Sequence, residues 1–482
     1  MPQPMDNTQL LRGFETPGFE LAADGSENSV SENSVSSQDA ASYSTGKTSL
    51  LENSPANKCR EMPSLGPPNY DLYDLIFSKR PSEEDVTRMI SDEAYSYIIN
   101  GTRYVTRFDS TQLASNSPCE DRLTQAKFPP PFGGRYDWIA WGIFDGHNGW
   151  ETADFLARHL LSFVRQKLSE CMDFQRGYQP SDVEYAMISG FYALDRSITK
   201  SASSACNSQF FPDGMKKIAP CASGSCALLS IFDPDTRQLH VACTGDSRAV
   251  LGYVQNTGDK RWTRVLSKDH TCHNEEEVKL LTKRHRGEPN MIKDGKLFGL
   301  GVTRAFGDVR WKLRPTFRGL LLRHFPAKWF IPPQPEDFKT PPYLTATPEV
   351  TTTSIDSSEL CFLIMATAGF WDLITSQQAV ELVNKWLYEK ERTADSRSQT
   401  SPIPQYEPFR FSMFSEGLSR RFVDCRTTIQ DQNVAVHLVR NALGGNHHEM
   451  IASRLAVNAP LCRDIRDDIT VQVIFFNFSV NL

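Results

Sequence analysis

The segment Trp141-Gly142-Ile143-Phe144-Asp145-Gly146-His147-Asn148-Gly149 ends an apolar run with a carboxylate, a glycine and an imidazole. A carboxylate leaving a buried strand can hold a hard cation such as Mg²⁺ or Mn²⁺, which prefers oxygen ligands, and the glycine lets a backbone carbonyl approach the same ion. His147 then sits beside that ion. An isolated Asp-Gly-His reads first as a turn, but the rest of the chain changes the weighting. Ser115-Asn116-Ser117-Pro118-Cys119-Glu120-Asp121-Arg122 lies upstream, Thr244-Gly245-Asp246-Ser247-Arg248 follows another apolar run, and Arg466-Asp467-Asp468-Ile469-Thr470 precedes a third. Acidic groups set repeatedly at strand ends point to one shared cation site.

Elements able to position these groups are visible in the pattern. Short β-branched or aromatic runs bounded by Gly, Asp or Pro predict strands over 138–144, 226–232, 239–244, 249–254, 359–366 and 469–476. Apolar residues recurring every three or four positions predict helices over 151–168, 183–199, 274–284, 377–388 and 433–443. Asn274 followed by Glu277 has the look of a helix cap with an acidic third residue. Strands and helices do not alternate regularly as in a doubly wound parallel sheet. The expected class is α+β, a central antiparallel β-sandwich with helices on both outer faces.

Residues 1–69 are Ser-, Asn- and acid-rich and repeat Ser-Glu-Asn-Ser-Val at 26–30 and 31–35. Such a segment buries too little apolar area to offset its ordering entropy, so it is expected to be a disordered tail and a candidate for regulation by phosphorylation. One large domain over 70–482 is expected to follow. It carries two insertions, a proline-rich one near 311–343 and a Ser/Thr/Pro/Arg-rich one near 393–419 that reads as disordered.

A formal charge of −6 over 482 residues, with no long Lys/Arg block, gives nothing for nucleic acid to bind. Eleven cysteines without a repeated Cys-x-x-Cys pair argue against a disulfide framework or structural zinc, and for a reducing compartment. No apolar run reaches the roughly 18 residues that span a bilayer, so no membrane is expected as a partner. Arg12 is outnumbered by Asp6, Glu15, Glu20 and Asp24, unlike an Arg-rich, acid-poor transit peptide.

The ordered set Glu120-Asp121, Phe144-Asp145-Gly146-His147, Gly245-Asp246-Ser247-Arg248, Thr303-Arg304-Ala305-Phe306-Gly307-Asp308, Gly369-Phe370-Trp371-Asp372 and Arg466-Asp467-Asp468-Ile469-Thr470 resembles the signature series of the PP2C (PPM-type) metal-dependent Ser/Thr protein phosphatases. Residues 112–118, Leu266-Ser267-Lys268-Asp269-His270 and 340–345 resemble its pyruvate dehydrogenase phosphatase branch. The resemblance implies two Mg²⁺ or Mn²⁺ ions, with Asp145 bridging both, Gly146 offering its carbonyl to one and Asp467 its carboxylate to the other. It implies Glu120 and Asp121 as holders of metal-bound water, His147 as proton donor to the leaving oxygen, and a phosphoprotein as substrate. Asn116 stands where many members place a phosphate-binding arginine, and the resemblance implies it as the corresponding phosphate contact. The same resemblance implies a mitochondrial location, whereas the acidic N-terminus reads as cytosolic.

One departure bears on activity. Members typically read Ala-Ser-Asp-Gly-Leu-Trp-Asp where this chain reads Ala366-Thr367-Ala368-Gly369-Phe370-Trp371-Asp372. Ala368 replaces a metal-binding aspartate, and a methyl group ligates nothing. The leading expectation is dephosphorylation of phosphoserine and phosphothreonine, in a pyruvate dehydrogenase complex subunit by resemblance. The alternative is a pseudophosphatase that binds phosphoproteins or regulatory partners without turnover. Four further features read as structural: Cys221 as a buried small residue, His447-His448 as a solvated turn, Arg304 as a packing arginine, and Glu275-Glu276-Glu277 as a solvated helix start.

Overall fold

The computed structural model describes residues 81–477 apart from 100–101, 103, 172–177, 255–262, 326–336, 396–421, 458 and 460. The Ser-rich tail and most of the 393–419 stretch therefore lie outside the described residues.

Two antiparallel sheets face each other. In the first, the strand order is Tyr95–Ile98, Val105–Leu113, Ile469–Phe476, Cys361–Ala366, Arg248–Tyr253 and Thr263–Val265. In the second it is Glu349–Ser354, Gln238–Thr244, Ala227–Asp233, Trp138–Phe144 and Arg122–Phe128. Trp141, Ile143, Leu228 and Val241 from one inner face meet Leu251, Leu363, Met365 and Ile474 from the other in a single apolar cluster. Trp138–Phe144 and Ile469–Phe476 are buried along their whole length, because the face turned away from this core is itself covered by helices.

Helices Glu151–Glu170 and Pro180–Cys206 cover the second sheet through Leu156, Leu160, Val164, Met187 and Phe191, and Phe211–Ala222 packs on those two helices through Ile218 and Cys221. Ser376–Asp395, Val434–Leu443 and His448–Ala456 cover the first through Val380, Val383, Trp386, Leu438 and Ile451. The expected α+β sandwich with helices on both faces is the observed architecture, a four-layer packing in which each sheet buries both sides.

Several local readings change. Over its described part the 311–343 stretch includes the helix Pro315–His324, started by proline in its first turn, and Leu321 and Phe325 are buried against the second helical layer. Asn274 does cap Glu275–Arg284, accepting from the Glu276 N–H at 3.0 Å. Glu277 is not a solvated cap partner, however: it is buried and turned to Thr303 and Arg304. His447 is also buried, its Nδ1 accepting from the Met450 N–H at 3.2 Å to start the next helix. Cys221 is a buried small residue, its thiol donating to the Ile198 carbonyl at 2.9 Å.

Candidate metal centre and active site

Register brings the acidic motifs to one end of the sandwich. Arg122 pairs with Phe144 and Ala227 with Thr244, so Glu120, Asp121, Asp145 and Asp246 leave the second sheet together. Ile469 pairs with Leu113 and Ala366 with Val471, so Asn116, Ala368, Asp467 and Asp468 leave the first sheet at the facing edge.

Direct contacts join the two sets. The Ala368 N–H donates to Asp145 Oδ2 at 2.9 Å, and Thr470 Oγ1 donates to Asp121 Oδ2 at 2.7 Å. Asp121 is buried, and among the described residues its Oδ1 has no hydrogen-bond donor. Burial first, then the neighbouring Asp468 and Asp467 charges, push the Asp121 carboxyl well above the usual carboxylate range. Asp145 is pushed well above it too, by burial and by Asp121 and Asp246. Gly146 needs its missing side chain, since a Cβ there would overlap the backbone carbonyl of Glu120.

Around this pair the remaining groups are fixed by hydrogen bonds. Glu120 accepts from the Gly149 N–H at 2.7 Å and from Arg463 Nη1 at 3.0 Å, and Arg463 Nη2 lies 3.7 Å from Asp467 Oδ2. Asp468 accepts from the backbone N–H groups of Ser115, Asn116 and Glu120 at 2.5, 2.8 and 2.8 Å. The Asn116 side-chain amide donates to the same carboxylate at 2.9 Å, which ties this residue to the loop carrying Asp467. His147 Nε2 lies 2.6 Å from Asp308 Oδ2.

The donors fit hard divalent cations. All are oxygens, one buried carboxylate oxygen lacks a partner among the described residues, and two carboxyls are destabilised as anions by burial and by neighbouring carboxylates. Ala368 contributes only its N–H. Asp145, Gly146, Asp121, Glu120 and Asp467 are thus gathered at one place, with His147 beside them.

Four residues to which the sequence assigned no individual role belong to this end. Asp246 lies against Cys226, whose thiol donates to it at 3.3 Å, and its charge bears on Asp145. Asp468 organises the loop that carries Asp467, Asp308 pairs with His147, and Arg463 bridges Glu120 and Asp467. Asp246, Asp308 and Asp468 each fall inside a motif of the series, which was the available signal; Arg463 does not.

A second group of metal-ligating types, His270, Glu277 and Glu349, has ligand atoms within 4.8 Å of one another. Here Arg304 already supplies a cation, with Nη2 2.5 Å from Glu277 Oε1 and 3.6 Å from Glu349 Oε1. The packing role expected of Arg304 is this buried pair.

Comparison with known proteins agrees with the geometry. The family model for protein phosphatase 2C matches residues 107–401. The chain is 32% identical over 423 residues to the mitochondrial pyruvate dehydrogenase (acetyl-transferring) phosphatase 1 of Saccharomyces cerevisiae, covering 83% of this chain and 73% of that one. It is 35% identical over 382 residues to a protein phosphatase 2C homolog of Schizosaccharomyces pombe, covering 77% and 81%. It is 29% identical over 439 residues to the human mitochondrial pyruvate dehydrogenase phosphatase 1, covering 77% and 78%. With the fold, the gathered carboxylates and these similarities together, the chain belongs to the protein phosphatase 2C family of metal-dependent serine/threonine protein phosphatases.

Proposed function

We propose that this chain dephosphorylates phosphoserine or phosphothreonine in a subunit of the pyruvate dehydrogenase complex, in the mitochondrion, using two Mg²⁺ or Mn²⁺ ions of unequal affinity. The observation that carries the chemistry is the buried Asp121 and Asp145 pair, raised as carboxyls and, among the described residues, without a side-chain cation paired to it. The substrate reading rests on the likeness to two phosphatases named for pyruvate dehydrogenase.

When bound, the ions supply Lewis-acid polarisation of the phosphoryl group and an acidified water. Asp145, the Gly146 carbonyl and Asp467 are the groups that would hold them, while Glu120, already bonded to the Gly149 N–H and Arg463, and Asp121, through its Oδ1, would hold water. Ala368 offers no carboxylate on the first sheet's side, so an ion held there would bind more weakly. His147 donates a proton to the serine or threonine oxygen as the P–O bond breaks. Asn116, fixed on Asp468, offers its second amide hydrogen as the phosphate contact.

Phosphate release from a phosphothreonine peptide and from phosphorylated pyruvate dehydrogenase, measured across a Mg²⁺ and Mn²⁺ titration, tests this. Turnover that rises with metal and vanishes in Asp145→Ala is the expected result. Turnover only after Ala368→Asp overturns it for the natural chain and favours a binding protein on the same fold, the reading that Ala368 itself supports.

A further inference from the structure

We infer that Asp308 is the positioning residue of the proton donor, holding the His147 imidazole for transfer to the leaving oxygen; this rests on the phosphatase reading above. The two residues are 161 positions apart and meet across a 2.6 Å hydrogen bond between Nε2 and Oδ2. Asp308 is fully buried, and among the described residues its one ion-pair partner is His147. A buried carboxylate left without a hydrogen-bond partner is costly, so the contact fixes the orientation of the ring as well as that of the carboxylate. With Nε2 on Asp308, Nδ1 is the ring nitrogen left for the substrate oxygen.

The surrounding backbone is built to permit this approach. A Cβ on Gly224, which pairs with both Gly307 and His147, would overlap Asp308 Oδ2 and His147 Nε2 at once. Asp308 adopts the left-handed region, φ 49°, uncommon for a residue with a side chain, and its N–H donates to the Ser223 carbonyl at 2.9 Å. The preceding Gly307 N–H donates to Asp195 Oδ1 at 3.2 Å, and Lys312 Nζ reaches both Asp195 at 2.6 Å and the Ala305 carbonyl at 2.8 Å. The Asp195–Lys312 pair thus fixes the loop and leaves the Asp308 carboxylate to orient the ring, the arrangement of a base held by a third group.

In the step itself, the His147 N–H bond breaks as its proton joins the oxygen released from phosphorus, the hydroxyl of a water forms the new P–O bond, and that water's other proton returns to the imidazole. A serine or threonine alkoxide is a strong base and needs that proton; p-nitrophenolate is a weak base and leaves without it. Asp308→Ala should therefore lower turnover of a phosphothreonine peptide at least ~10-fold more than turnover of p-nitrophenyl phosphate, within the range a general acid contributes. Asp308→Asn, which keeps shape and acceptor but not charge, should fall between. His147→Ala should shift the same ratio, and the double variant should shift it no further. A downfield imidazole N–H proton resonance should be present in the metal-free protein and absent from both His147→Ala and Asp308→Ala.

Equal losses on both substrates, or effects that multiply in the double variant, would reduce Asp308 to a loop anchor and overturn the inference, as would a resonance that survives Asp308→Ala. If the natural chain is silent, the same series is run with Ala368→Asp in every protein. Silence there too sinks the phosphatase reading and the catalytic role of the pair with it. Turnover with an unmoved substrate ratio sinks only the role of Asp308.

Discussion

Two of the carboxylate groups beside the sheets differ in where the positive charge comes from. Glu277 and Glu349 have Arg304 between them; burial pushes Glu277 up, but the guanidinium outweighs it and leaves the carboxyl below its usual range. Asp121 and Asp145 are raised well above that range, because burial is compounded by neighbouring carboxylates. A group that carries its own cation is complete when the chain folds. A group that does not is a standing demand for one from outside, so the same residue types read as a brace in one place and as a binding site in the other.

The largest effect should come from breaking the brace. Glu277→Ala leaves Arg304 buried without its main partner and should lower stability by about 3–5 kcal/mol in urea unfolding, equally with and without Mn²⁺. At the acidic site the sign reverses: Asp145→Asn should unfold at higher urea than the natural chain when both are metal-free. Mn²⁺ at 100 times its Kd should stabilise the natural chain by ~2.7 kcal/mol and the variant by much less. Equal responses to Mn²⁺ would erase the contrast.

Acid sharpens it further. His270, inside the Arg304 group, is held neutral down to about 3 by burial and then by Arg304. The unfolded chain takes up that proton near the ordinary histidine value of about 6.5 and the folded chain does not, so this contribution is intact at pH 7 and is lost as pH falls from there. His270→Gln should make stability fall less between pH 7 and pH 5, by about 2 kcal/mol relative to the natural chain in paired urea melts. The smallest expected change is in metal affinity: Ala368→Asp should tighten Mn²⁺ about 10-fold, or ~1.4 kcal/mol, by calorimetric titration.

Strands buried on both faces announced themselves in the sequence. Trp138–Phe144 and Ile469–Phe476 are continuous apolar runs and were legible to the residue. Val105–Leu113 was not, because Asp109, Ser110 and Thr111 are polar yet buried, satisfied in part by Arg107, Val434 and Ile90 through contacts no local pattern encodes. Phe211–Ala222 escaped for a different reason: Gly214 and Pro220 interrupt its helical pattern, and tertiary packing overrides their low propensity. At the site, Asp145, Gly146 and Asp467 were legible as oxygen donors at strand ends. The partnership of His147 with Asp308, and the turning of Glu277 towards Arg304, depend on which loops meet in space, and spacing along the chain is silent about that.

The strand order of the first sheet also sets a timetable for synthesis. Ile469–Phe476 lies between Val105–Leu113 and Cys361–Ala366, so the sheet has a gap at its centre until that late segment leaves the ribosome. Asp467 and Asp468 arrive on the same segment, and Asp468 is what gathers Ser115, Asn116 and Glu120. A translation product that stops short of residue 467 therefore has neither a closed sheet nor an assembled cation site, and the earlier strands wait with an open edge that other chains can join. The step that fills the centre of the first sheet is therefore also the step that brings Asp467 and Asp468 to the cation site.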